Sequence, residues 1–281
     1  MCSPATAEPE ETTMQRNGLK RLWEQGTPVI NGWLSIGDAF CAEIMAEQGY
    51  DALTVDLQHG LGDHRAAVAM FQAIRASGVV PLARAPWLDP AAIMKLVDAG
   101  ALGIVCPMIE TAEEAARFVS YLRYPPLGMR SFGPTRAVFS AGPNYGEEAD
   151  DNILAFAMIE TPRGWDALEA IAETPGLDGL YIGPADLSLA LTGRTHRLGF
   201  DREEPELVAA IDRIRDVAHR AGLRAALHCG SPEYAARAID RGFDLVTVTN
   251  DVRLLASAAA ASVATTKKRS VRLSTPPHDG V

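Results

Sequence analysis

Eight short runs of β-branched and aliphatic residues recur along this chain, each followed by a stretch of helical character. That alternation constrains the fold more than any other feature. The runs occupy residues 29–34, 52–56, 79–84, 103–106, 154–159, 179–182, 224–228 and 245–249. Helical patterns cover 38–48, 66–76, 90–99, 112–122, 166–173, 206–221, 232–241 and 252–265. Thr111 stands where an N-cap is wanted, and Gly49, Gly78, Gly100, Gly222 and Gly242 follow helix ends. Strands alternating with crossover helices build a parallel sheet. With eight units and no G-x-G-x-x-G turn after the first strand, the expectation is a closed (β/α)8 TIM barrel rather than an open doubly wound sheet. The 281 residues suit one barrel of about 250 residues better than two smaller domains.

A weak internal repeat supports the alternation. The segments GYDALTV at 49–55, GLDGLYI at 176–182 and GFDLVTV at 242–248 share a helix-ending Gly, an Asp two residues on and an apolar run. A looser copy, GALGIV, begins at Gly100. These copies precede the second, sixth, eighth and fourth strands. Composition shifts only at the two ends: residues 1–16 are rich in Pro, Thr and Glu, and 266–281 read TKKRSVRLSTPPHDGV. The expected organisation is a single domain over 17–265 between two mobile tails.

Lys and Arg total 26 against 36 Asp and Glu, a formal charge of −10. No global positive field is available for nucleic acid or an anionic membrane surface, and a small molecule is the expected partner. The apolar runs fall short of the roughly 18 residues a membrane span needs, and the acidic start lacks the apolar segment of an export signal. Cys2, Cys41, Cys106 and Cys229 stand singly without a C-x-x-C pair. This argues against a disulfide framework or a thiolate metal site and fits a reducing cytoplasm.

In a barrel of this kind chemistry gathers where strands end. Asp56 and His59 follow the second strand, Arg84 ends the third, Glu160 follows the fifth, residues 183–186 (GPAD) the sixth, His228 ends the seventh and Asn250 follows the eighth. Polar side chains reaching one rim of an otherwise apolar sheet are costly unless something pairs with them. Glu160 and Asp186 lie on neighbouring units about 4.8 Å apart. They can share a divalent oxygen-ligand cation, act as an acid/base pair, or merely cap helices. His59, three residues after Asp56, reads either as a base oriented by that carboxylate or as an ordinary loop histidine. An arginine at the barrel mouth wants an anion. His228 reads equally as a site residue or a satisfied structural one.

Residues 159–171 (IETPRGWDALEAI) and 176–188 (GLDGLYIGPADLS) together resemble the metal-binding half of the HpcH/HpaI aldolase family. Residues 56–60 (DLQHG) and 81–84 (PLAR) match its histidine and arginine motifs, and 128–133 (GMRSFG) its mid-barrel loop. The resemblance spans roughly 19–260 and implies a cytoplasmic class II pyruvate aldolase on a TIM barrel. The family includes 2,4-dihydroxyhept-2-ene-1,7-dioate and 2-dehydro-3-deoxyglucarate aldolases, and commonly assembles as a homohexamer with the last helix exchanged between subunits. It implies that Glu160 and Asp186 ligate Mg²⁺, Mn²⁺ or Co²⁺, and that backbone near Ala185 and Asp186 receives the pyruvate carboxylate. Arg84 would stabilise the enolate and the aldehyde oxygen, and His59 with Asp56 would manage protons. The substrates would be a 2-oxo acid, pyruvate or hydroxypyruvate, and an aldehyde. Gln58 stands where many members have Glu, and Met158 where many have Gln. The alternatives are an acyl-CoA lyase like the citrate lyase β-subunit, acting on a malyl-CoA-type thioester, and a barrel that only binds a keto acid. The four lysines bear on the chemistry: Lys20 precedes the barrel, Lys95 falls in a helix, and Lys267 and Lys268 lie near the end, none placed for a Schiff base at the rim.

Overall fold

The computed structural model describes residues 17–273, with side chains to 268. Eight parallel strands close into a barrel in chain order, β8 pairing with β1. They are β1 (Val29–Leu34), β2 (Ala52–Asp56), β3 (Val80–Arg84), β4 (Gly103–Cys106), β5 (Leu154–Ile159), β6 (Gly179–Ile182), β7 (Arg224–Cys229) and β8 (Leu245–Val248). Each lies within one residue of its expected bounds. β8 stops one residue early because Thr249 turns to φ 52°, outside the strand region.

The repeat has a structural reason. Asp51, Asp178 and Asp244 each sit two residues after a glycine of φ between 85° and 92°, a conformation that favours glycine. Their carboxylates accept the backbone N–H of Ile30, Ala155 and Ala225, in each case on the preceding strand. The repeated Asp thus ties the lower ends of strand pairs together. The looser copy has Leu102 in that place, and its carbonyl takes a bond from the Asn17 side chain instead.

Helices α2 (Ala39–Ala46), α3 (His64–Ala76), α4 (Pro90–Asp98), α5 (Ala112–Leu122), α11 (Pro205–Arg220) and α12 (Pro232–Asp240) surround the sheet as expected. All but α11 carry a side-chain N-cap, from Asp38, Asp63, Asp89, Thr111 and Ser231 respectively. Four further helices were not read from the pattern: α1 (Gly18–Glu24), α6 (Ala137–Ala141), α7 (Tyr145–Asn152) and α10 (Pro184–Thr192). The helix expected over 166–173 is two short ones, α8 (Pro162–Asp166) and α9 (Leu168–Ala172). It starts early because Thr161 caps the turn at the Gly164 N–H. The last helix, α13 (Asp251–Leu273), runs through the expected boundary at 265, since no Gly or Pro interrupts it there. Helix therefore continues into the segment expected as a C-terminal tail as far as Leu273, while residues 1–16 and 274–281 lie outside the described residues.

Side chains alternate across each strand. One set, with Trp33, Leu82, Phe156, Met158, Tyr181 and Ala226, fills the barrel interior and is closed below by Leu19 and Trp23 of α1. The other set packs against the helices through Phe71, Phe118 and Ile214. Asp56, Arg84, Glu160 and His228 share the inward parity, at the upper end.

Candidate active site

These upper ends enclose a cleft of about 420 Å³ lined by Asp56, His59, Arg84, Glu160, Ala185 and Asp186. The structure thus brings together every residue the sequence placed in the site, with His228 and Asn250 in the same wall.

Asp56 and Arg84 are paired residues of neighbouring strands. Their side chains form a two-pronged ion pair, Arg84 Nε donating to Oδ1 at 2.8 Å and Nη2 to Oδ2 at 2.6 Å. Trp33 Nε1 also donates to Oδ2, and the guanidinium lies 4.9 Å from the Trp33 ring centre. Burial opposes ionisation of Asp56, but the Arg84 contacts outweigh it and hold the carboxyl below its ordinary value. Arg84 is left with Nη1 uncommitted among the described residues. The sequence reads Asp56 as the group orienting the His59 imidazole. The contact found is to the His59 backbone N–H, at 3.2 Å, because Arg84 and Trp33 occupy the carboxylate's other positions. The ring of His59 is exposed and lines the cleft.

Glu160 is 3% exposed and accepts the Met108 N–H on Oε1 at 3.0 Å. Met108 does this from φ 58°, a backbone conformation that costs energy outside glycine. Burial pushes the Glu160 carboxyl up to about 7 against the Met108 bond, and the Asp186 charge adds to the rise. Oε2 faces Gly183, where a Cβ would stand only 2.4 Å away. Asp186 is exposed in the first turn of α10, whose N-cap residue, Gly183, has no side chain to bond the helix N–H groups. Among the described residues no three His, Cys, Asp or Glu side chains form a metal cage. Two carboxylates with oxygen positions to spare fit a hard divalent cation, which keeps sites for water and substrate. A cation there would offset the repulsion that the exposed Asp186 charge exerts on buried Glu160.

His228 stands at the back of the cleft, its Nε2 without a hydrogen-bond partner among the described residues. Its Nδ1 lies 3.1 Å from the Tyr181 hydroxyl, which lies 2.6 Å from Thr247 Oγ1. The Asn31 amide joins the Thr247 and Thr54 hydroxyls at 2.8 and 3.1 Å. Burial, reinforced by the Arg84 charge, pulls the His228 pKa down to about 3, so the ring is neutral. Phe200 stacks on it at 4.5 Å, and Arg253 of α13 covers Phe200. Trp33, Met108, Phe200 and Arg253 were missed from sequence. Trp33 was accessible from its inward parity on β1; Met108 acts through its backbone, which no side-chain motif reveals.

A family model described as HpcH/HpaI aldolase/citrate lyase matches residues 30–258. The chain belongs to this family. It is 40% identical over 248 residues to the hydroxypyruvate/pyruvate aldolase of Rhizorhabdus wittichii, covering 88% of this chain and 98% of that protein. An HpcH/HpaI aldolase/citrate lyase family structure from Burkholderia cenocepacia J2315 superposes with a TM-score of 0.81 at 32% identity, covering 89% and 98% of the two chains. The citrate lyase β subunit of Mycobacterium tuberculosis shares the fold at a TM-score of 0.54 and 18% identity, covering 82% and 94%. Aldolases are thus nearer relatives than citrate-lyase proteins, and the enzyme class is that of a carbon–carbon lyase.

Proposed function

We propose that this HpcH/HpaI family member makes and cleaves 4-hydroxy-2-oxo acids, joining pyruvate or hydroxypyruvate to an aldehyde with the help of a divalent cation. The observation that carries this reading is the meeting, at one rim, of Glu160 and Asp186 with a guanidinium that keeps one free edge. The name of the Rhizorhabdus wittichii relative supports the choice of donor.

The oxo acid's carboxylate is received by the N–H groups of Ala185 and Asp186, which point from an uncapped helix start of favourable dipole. A cation held by Glu160 and Asp186 would supply Lewis acidity toward the 2-oxo group. Arg84, fixed by Asp56 and Trp33, presents a preorganised positive charge to the oxygen that gains negative charge as the methyl proton leaves and again to the aldehyde oxygen. His59 takes up the proton that leaves the donor carbon and gives one to the new hydroxyl, and runs the two transfers in reverse in cleavage. Met158 lines the cleft with an apolar surface, so that wall offers no hydrogen bond to the acceptor.

None of the four lysines lines the cleft; Lys20 is paired with Asp178 and Lys95 lies on α4. Turnover of pyruvate with short, sugar-like and semialdehyde acceptors is therefore expected to vanish on exhaustive chelation and return with Mg²⁺, Mn²⁺ or Co²⁺. Full turnover without metal, or borohydride trapping of substrate on the protein, sinks the reading. The reading includes a homohexamer in a reducing cytoplasm. Leu255 and Val263 on α13 are 65% and 52% exposed, apolar surface that a neighbouring subunit covers. A monomeric mass by light scattering at micromolar concentration contradicts the assembly. Cys41, Cys106 and Cys229 are free thiols, which suits that compartment.

A further inference from the structure

The end of the barrel opposite the active site carries a second cavity, of about 550 Å³, where β3 and β4 begin. Arg21, Arg75 and Arg136 line it, with apolar surface from Phe71, Leu102 and Phe139. The three arginines come from separate elements: the last turn of α1, the last turn of α3 and the residue before α6. Arg163 pairs with Glu110, Arg213 with Glu169 and Arg237 with Glu203. Arg21, Arg75 and Arg136, like the scattered Arg65, Arg194, Arg197 and Arg220, have no carboxylate partner among the described residues, but these three converge on one cavity. Arg136 donates one short bond to the Ala99 carbonyl and occupies space that a Cβ at Gly100 would take. Burial, and after it the Arg75 charge, lower its pKa. In a chain of net charge −10, this is a local concentration of unanswered positive charge.

We propose that this cavity binds a phosphate-bearing metabolite, the phosphate held by Arg75, Arg136 and Arg21 and the organic part resting on Phe71 and Phe139. A phosphate monoester brings about −1.5 to −2 charge and three acceptor oxygens, which matches several guanidinium forks better than one carboxylate does. The volume is that of a small-metabolite site. The position is separate from the catalytic cleft but not isolated from it. Pro81 lines the cavity, and three residues along the same strand stands Arg84. Leu102 lines it too, and β4 leads from there toward Met108, whose N–H holds Glu160.

The test is calorimetric titration of the metal-free full-length protein with pyrophosphate as probe. The expected result is one binding event per chain, unaffected by excess pyruvate and weakened at least tenfold in Arg75→Gln and in Arg21→Gln. Both side chains are exposed, so neither change threatens folding. No binding at millimolar pyrophosphate, affinity in either variant equal to that of the parent chain, or displacement by pyruvate each overturns the proposal. Self-association of the intact chain that weakens in Arg75→Gln overturns it as well, by making the cavity a subunit contact.

Discussion

Replacing Asp56 by Asn tests the central electrostatic argument, because the change keeps shape and removes charge. The carboxylate accepts five bonds: two from Arg84, one from Trp33 and two from the backbone N–H groups of Gln58 and His59. Oδ1 takes Arg84 Nε and both backbone donors, while Oδ2 takes Arg84 Nη2 and Trp33 Nε1. An amide has only one acceptor oxygen, so whichever way Asn turns, its NH₂ confronts at least two donors. At best three of the five bonds survive, and the Arg84 guanidinium, 11% exposed, is left without its counter-charge. Breaking a buried pair from one side costs about 3–5 kcal/mol, most of it the penalty on the orphaned ion. For a chain of this size that corresponds to a fall in Tm of roughly 6–20 °C.

The assay is thermal unfolding, read by circular dichroism, of Asp56→Asn, Arg84→Gln and the double variant. If orphaned charge is the cause, the double variant regains much of the loss, with a coupling of about 2 kcal/mol or more between the sites. A single-variant cost below about 1 kcal/mol, in the range of an exposed pair, or strict additivity in the double variant would falsify the reasoning. Turnover adds an independent check. The double variant is expected to recover stability without recovering activity.

Arg84→Lys keeps the charge but loses the planar fork that engages Asp56, and steady-state kinetics should show a loss on the order of 10²-fold in kcat. Gly183→Ala places a Cβ 2.4 Å from Glu160 Oε2 and 3.0 Å from Met158 Cε, so the carboxylate must move. Metal affinity is then expected to fall about 10- to 100-fold, the usual cost of disturbing a ligand's support, and unchanged affinity by titration would separate Glu160 from the metal. Asp56 is held below its ordinary pKa, so its contribution to stability is complete above about pH 4 and is lost as pH falls through the depressed value. Unfolding followed between pH 6 and 2 should show a shallower acid loss in Asp56→Asn than in the parent chain.

Strands were legible because each is short and largely apolar, because most follow a Gly within a few residues, and because burial on both faces leaves no polar alternation to confuse the pattern. The helices that escaped notice are short or carry weak amphipathic signals. α1 is one of them, yet it closes the barrel floor through Leu19 and Trp23, the Trp23 indole donating to the Asp244 carbonyl. Seven residues ahead of the first strand do not advertise such a role. The stop expected at 265 rested on a change of composition, whereas helix propagation responds to Gly and Pro, neither of which comes before Pro276.

The site was legible to the extent that its chemistry is carried by side chains at strand ends. Asp56, Arg84 and Glu160 could each be placed at the rim, but their division of labour could not, because it depends on register. Asp56 and Arg84 stand side by side across β2 and β3, so the shortest path for the carboxylate leads to the guanidinium and only a backbone contact remains for His59. Parity along the strands carried more information than the motifs did. Counting back by two from Arg84, Glu160 and His228 reaches Leu82, Met158 and Ala226, all in the interior layer, and the same parity in β1 and β6 brings in Trp33 and Tyr181. Those two side chains anchor Asp56 and His228 from beneath. A barrel strand that ends in a charged residue therefore specifies its support as well. The neighbour two residues earlier, and its partners in register, set how rigidly the charge is held, and rigidity is what converts a polar rim into a preorganised one.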